Sequence, residues 1–278
     1  MDGRVVEQRI LEQSVRLPAT GALTAWAALR WRGGAFFDGT DQGGRRALPV
    51  PLVIGGTGNL RPHPAVALSW EQFPPPEREV VAGVGCAVAE RALFDEVRRR
   101  GFLRSAVAAV DMAVAAGLLT VAQFGHYVER RPAWTGVGLA RGAVDLAVDD
   151  SWSPQETALR LVWMIDADLP VPLCTQPLFS PGGDLLGYPD LFDPVAGLVG
   201  EYDGADHLED DRRHRDRVRE ERFRDHGLEY VAVVTGELAN TGAVVRRLRS
   251  AYHRAPFTHP DKRRWTLDQP PWFRSRLA

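Results

Sequence analysis

The sequence predicts a mixed α/β protein in two parts, and three observations carry that prediction. Residues 88–121 are Ala-rich with a helical period. Residues 171–203 alternate short apolar runs with Gly and Pro. Residues 211–254 pass from a charged helix through an apolar strand, LEYVAVV, to a second helix. Elements of both kinds interleave, so helices must pack on a sheet.

Taken in order, the first 80 residues are rich in Gly, Pro and Trp. LPVPLVIGG and AVALSW read as short strands, and GRRALP and FPPPER as loops. AVAERALFDEVRRR and SAVAAVDMAVAAGLLT read as two helices joined at Gly101, with Ser105 as an N-cap. Arg91 and Asp95, four apart on one helix face, fit a buried structural pair. DDSWSP, 149–154, marks a domain boundary. There Ser153-Pro154-Gln155-Glu156 fits a capping box, with Ser at N-cap, Pro at N1 and Glu at N3, and the helix it opens runs to Pro170. Strands follow around PLCTQPLF, LLGYPDLF and LVGEYD, the last two joined by the turn Asp193-Pro194-Val195-Ala196-Gly197. A charged helix over 211–226 stops at Gly227. The strand LEYVAVV and the helix TGAVVRRLRSAYHR complete an α-β-β-β-α-β-α order. The expected organisation is a mixed α+β domain over 1–148, a second domain over 149–256 and a basic, Pro-rich tail over 257–278.

Composition narrows the function. A formal net charge of −2 predicts no strong overall attraction to nucleic acid or anionic lipid, so any such attraction is local. Lys262 is the only lysine, which leaves no ammonium for catalysis in the body of the chain. Cys86 and Cys174 lie far apart and match no zinc spacing, which suits a reducing compartment. No apolar run approaches the roughly 20 residues that span a bilayer, and MDGRVVEQRILEQ lacks a signal-peptide core. The expectation is a cytoplasmic protein with no membrane partner. Residues 241–278 hold nine basic and two acidic side chains with Trp265, Trp272 and Phe273 among them. That mixture suits nucleic acid, and equally suits a packed or disordered tail.

The chemistry concentrates in LVGEYD. Residues two apart on a strand share a face, so Glu201 and Asp203 point the same way. In an antiparallel hairpin, Asp190 lies across from them. Three carboxylates on one face repel, and a bound divalent cation would offset that cost. Hard oxygen ligands suit Mg²⁺ or Mn²⁺. The plainer alternative is that these acids sit at solvated strand ends.

Pro189-Asp190, an eleven-residue step and then Glu201-Tyr202-Asp203-Gly204 resemble the PD-(D/E)XK nuclease pattern, in the variant with Asp in place of Lys. The run VGEYDGADH followed by DRVREERFRDHGLEYVAVV is similar to the DUF559 family, relatives of very-short-patch repair endonucleases. Its helix pattern falls on Asp216, Arg219, Phe223 and Gly227. The Ser153 to Glu156 opening and Gln176 on the first strand match too, and the resemblance covers about residues 150–255. It implies a restriction-endonuclease-like αβββαβ core acting on DNA with Mg²⁺ or Mn²⁺, in defence or repair. It implies Asp190 and Glu201 as metal ligands, with Asp203 where the nucleases carry Lys. Glu156 would approach the metal from the first helix, although capping alone accounts for a Glu there. His207 would be a general acid or phosphate contact, and Arg219 would face the scissile phosphate or brace an acid. Gln176 would lie toward the nucleic acid.

The first half resembles proteins related to AbiE-type antitoxins, on Trp26 to Leu29, LPVPLV, ERALFDEVRR and AVAAVDMAV. Too few residues precede Gly21 for the winged helix-turn-helix those proteins carry, so a scaffold or protein-partner role is expected there. Two functions remain: a metal-dependent endonuclease, or a non-cutting regulator that binds nucleic acid or a partner.

Overall fold

The computed structural model describes residues 5–41, 43–56, 59–204 and 210–274, the side chains of 210–216 excepted. The fold is mixed α/β, with a five-stranded and a four-stranded open sheet and a two-stranded ribbon. The chain divides into two compact units, 1–149 and 150–278.

The first unit runs α1 (Val6–Ser14), β1 (Ala22–Leu23), α2 (Ala25–Trp31), β2 (Val50–Val53), β3 (Val66–Ser69), β4 (Arg78–Val81) and β5 (Val84–Ala87). Four helices follow: α3 (Ala89–Arg100), α4 (Leu103–Ala115), α5 (Val121–Glu129) and α6 (Val137–Leu146). The sheet order is β3-β2-β1-β5-β4. Gly101, at φ +74°, ends α3 in the left-handed region that glycine enters freely. Ser105 is not the cap of α4. Phe102 holds that place, and the Ser105 hydroxyl donates back to Phe102 O at 2.9 Å. Helix α5 opens with a capping box of its own, Thr120 and Gln123.

The Arg91–Asp95 pair is buried as expected, inside a larger network. Arg91 is fully buried, and its guanidinium donates to Asp95 at 3.0 Å, Glu77 at 2.8 Å and Glu71 at 3.0 Å. It lies 4.7 Å from the Trp134 ring centroid. A buried cation tolerates this place because each arm of its fork is met.

The second unit begins with α7 (Pro154–Leu161), which continues as a π-helical turn over Val162–Asp166. Then come β6 (Leu173–Cys174), β7 (Leu178–Phe179), β8 (Leu185–Gly187), β9 (Leu191–Asp193) and β10 (Leu198–Asp203). Helix α8 (Asp210–Asp225), β11 (Glu229–Val234), α9 (Thr241–Arg254) and α10 (Pro271–Arg274) follow. The sheet order is β11-β10-β9-β6, with β7 and β8 paired apart from it. Strands β10 and β11 are parallel, and β9 is antiparallel to both β10 and β6.

Two runs expected as single strands therefore break. PLCTQPLF divides at Thr175, where φ is +50°, just before Pro177. LLGYPDLF divides between Gly187 and Pro189. Proline has no N–H for a ladder, so each run stops pairing where its proline falls. The β9–β10 turn forms as read: Asp193 Oδ1 accepts from Val195 N at 2.7 Å and Ala196 N at 3.0 Å.

Trp163, from the π turn, lies against one sheet face at Gly200, where a Cβ would come within 3.1 Å of its ring. On the other face Phe192, Val199, Phe223 and Tyr230 form a core with Trp265. Trp265 packs edge-on to Phe192 at 4.9 Å. Thr266 exchanges two backbone hydrogen bonds with Phe179, at 2.8 and 2.9 Å. Residues 257–274 thus pack into the second unit. Among the described residues, no helix is long and apolar enough to cross a membrane.

Candidate functional site

An apolar recess of about 390 Å³ in the first unit is lined by Pro62, His63, Pro64, Val66, Leu68 and Trp70. It holds no carboxylate. The acids singled out by the sequence lie at one end of the β9–β10 pair in the second unit.

Strand register places them. Phe192 pairs with Val199 and Leu191 with Gly200. The ladder ends there, and Asp190 and Glu201 are the residues next to Leu191 and Gly200 at that end. Phe192 and Val199 share the core face, so Glu201, two residues on in β10, takes that face as well. Asp190 itself lies in a bend just ahead of β9, and its Oδ2 accepts from Tyr202 N at 2.7 Å. Burial pushes its carboxyl up to about 6. The bond from Tyr202 N and the charge of Arg219 pull the other way, while the charge of Glu156 adds to the rise.

Glu201 is 3% exposed. Its Oε2 accepts from Arg219 Nη2 at 2.6 Å and from Tyr230 OH at 3.1 Å. Arg219 comes from α8 and stands near both acids. Tyr230 faces Val199 across the parallel β10–β11 ladder and so shares the face of Glu201. Burial and the Glu201 charge push its phenol far above the ordinary range, which keeps it a neutral donor. Its ring stacks on Phe223 at 6.3 Å.

The other expected residues divide. Glu156 sits at the start of α7 and does what capping requires. Its backbone N–H donates to Ser153 Oγ at 3.1 Å, and its carboxylate accepts from Trp152 N at 2.9 Å. That acceptor bond goes one residue upstream of the N-cap, where a capping box would engage the N-cap N–H itself. Asp203 is exposed at the end of β10, and its carbonyl accepts from Thr235 N at 3.1 Å. Gln176 lies between β6 and β7, with its amide 3.3 Å from both Asp150 Oδ2 and Cys174 O. His207 lies outside the described residues, as does the side chain of Asp216. Among the described residues, no three His, Cys, Asp or Glu side chains come together as a cation site. Tyr230 is the member that sequence reasoning missed.

The second unit is thus an α/β unit with a buried acid–Arg–Tyr cluster at one end of its central strand pair. No family model matches the chain, and no curated protein or solved structure does either.

Proposed function

We propose that the second unit hydrolyses phosphodiester bonds in DNA with Mg²⁺ or Mn²⁺, on a restriction-endonuclease-like core. The observation that carries this reading is Asp190 and Glu201 at the same end of the β9–β10 pair, both near Arg219, with burial raising Asp190 to about 6 and the charge of Glu156 adding to the rise. Acids crowded in a buried place are costly unless their charge is met. Carboxylate oxygens are the donors that hard divalent cations take, so Asp190 and Glu201 would hold the ion. Bound there, it would polarise the phosphoryl oxygen and ease deprotonation of water. Asp203, exposed at the strand end, supports the ion less well than these two.

The chain's own groups have separate tasks. Tyr230 and Arg219 orient Glu201 through its Oε2. Asp190, held through Oδ2 by Tyr202 N, would offer its other oxygen to the ion. Arg219, with its side chain 38% exposed, can also meet a phosphate.

One observation favours a second reading, a non-cutting regulator that binds nucleic acid or a protein. The Arg219–Glu201 ion pair already compensates the acid without a cation. A cleavage assay on supercoiled plasmid and single-stranded DNA separates the two. Metal-dependent cutting by the wild type, lost in Asp190→Ala and in Glu201→Gln, is the expected result. Absence of cutting, or cutting that survives in both variants, would leave the binding reading.

A further inference from the structure

The aromatic residues that interleave with basic ones at the C-terminal end have different fates. Trp265 and Phe273 are 5% and 8% exposed and are spent in the core. Trp272 is 41% exposed and Tyr188, from the break between β8 and β9, is 38% exposed. Both rings rest on Phe273, with centroids 5.7 and 6.4 Å away. Phe273 is in turn held edge-on to Phe179 at 5.0 Å. The Trp272 indole N–H donates to Gly183 O at 3.0 Å, which fixes the ring on the tip of the β7–β8 ribbon. Two large rings are therefore held partly in solvent by one buried ring, and Tyr188 immediately precedes Pro189-Asp190.

Positive charge lies alongside. Arg222 is exposed on α8, and its guanidinium comes within 3.5 Å of Leu185 O on the ribbon. Arg274 is exposed two residues after Trp272. The stem of Arg219 lies against Gly187, next to Tyr188.

We propose that Tyr188 and Trp272 form a stacking platform for the bases of single-stranded nucleic acid, beside Asp190 and Glu201. The choice of a single strand follows from the chemistry of the rings. Bases within a duplex are stacked on one another and offer no face to a side chain, whereas unpaired bases stack on aromatic rings whatever their identity. Arg222 and Arg274 supply the phosphate contacts that such a strand needs. The proposal rests on the nucleic-acid part of the function above and not on catalysis.

The test is a binding measurement on the full chain in EDTA. Fluorescence anisotropy compares a labelled oligothymidylate of about 20 nucleotides with a duplex of equal length. The single strand should bind more tightly. Trp272→Leu and Tyr188→Ser should each weaken single-strand binding about ten-fold and leave duplex binding unchanged. Trp272→Phe, which keeps a ring, should lose less than Trp272→Leu. Thermal unfolding of each variant verifies that it is folded. Equal affinity for duplex and single strand overturns the platform, and so does undiminished binding by both ring-removing variants. A loss in Trp272→Phe as large as in Trp272→Leu also overturns it, because the lost indole bond to Gly183 O rather than stacking would then be at work. Plasmid cleavage that persists beside any of these results keeps the hydrolase reading. Tight single-strand binding with no cleavage removes that reading and keeps the platform.

Discussion

Burial, with the charge of Glu156 behind it, raises the Asp190 carboxyl from an ordinary 3.8 to about 6. The direction sets how stability depends on pH. Between about 4 and 6 the folded chain holds a proton on Asp190 that the unfolded chain has released. Stability contributed by this group therefore falls as pH rises through that window, and the cost is complete above it. Asp190→Asn removes the charge and keeps an oxygen for Tyr202 N. It should stabilise the protein by about 3 kcal/mol at pH 7.5 and by little at pH 4. Urea unfolding at both pH values measures this, and an equal gain at both would show that charge burial is not the cause. On the proposed hydrolase reading, the same variant should lose metal-dependent cutting, because it removes a proposed ligand of the ion. Asp190 and Glu201 are legible in the sequence because carboxylates stand out in apolar runs. Tyr230 is not, because a Tyr in LEYVAVV reads as core. Only the parallel pairing of that strand with LVGEYD, over a long separation, brings its hydroxyl to Glu201.

At the scale of elements, α3, α4, α7, α8, α9 and the β9–β10 turn follow from local pattern, while α1 and α2 are not read from it. The broken strands do not follow from it either. Apolar runs such as LLGYPDLF carry the composition of one strand; Pro189 stops the pairing, and the close packing above Gly187 fixes how the ribbon sits. A Cβ at that position would lie 2.9 Å from Phe223 Cζ and 3.3 Å from the Arg219 stem. Phe223 is fully buried and has no room to yield. The glycine lets α8 settle onto the ribbon, and α8 is the element that delivers Arg219 to Glu201. Gly187→Ala should therefore destabilise the protein by about 2 kcal/mol, through overpacking. It should also weaken cutting beyond what lost stability explains, because Arg219 shifts with its helix. Chemical denaturation together with assays well below the melting temperature tests both parts. An unchanged denaturation midpoint would mean that α8 is not seated by this contact. Helices α5 and α6 lie beyond the Ala-rich run whose pattern announces α3 and α4, and the capping box at Thr120 was the available signal for the first of them.

At the scale of the whole chain, each unit has its own sheet and its own buried core. Each also has its own buried arginine network or acid cluster. In the first unit, Glu77 keeps its carboxyl below the ordinary range although burial opposes this, because Arg131, Tyr127 and Arg91 all bind it. Removing Arg91 leaves Glu77 and Asp95 buried with part of their compensation gone. Breaking one side of such a buried network costs about 3–5 kcal/mol. Units with separate cores unfold as separate cooperative transitions. Calorimetry of the full chain should accordingly show two transitions. Arg91→Met should lower only one of them and Gly187→Ala only the other, because changes in separate cores with no shared partner act independently. If both substitutions moved the same transition, the chain would be one cooperative body, and the acid cluster of the second unit would depend on the first unit for its stability. If they separate, metal-dependent cutting should survive heating that unfolds only the first unit. That result would assign the chemistry to residues 150–278 by a measurement independent of any site substitution.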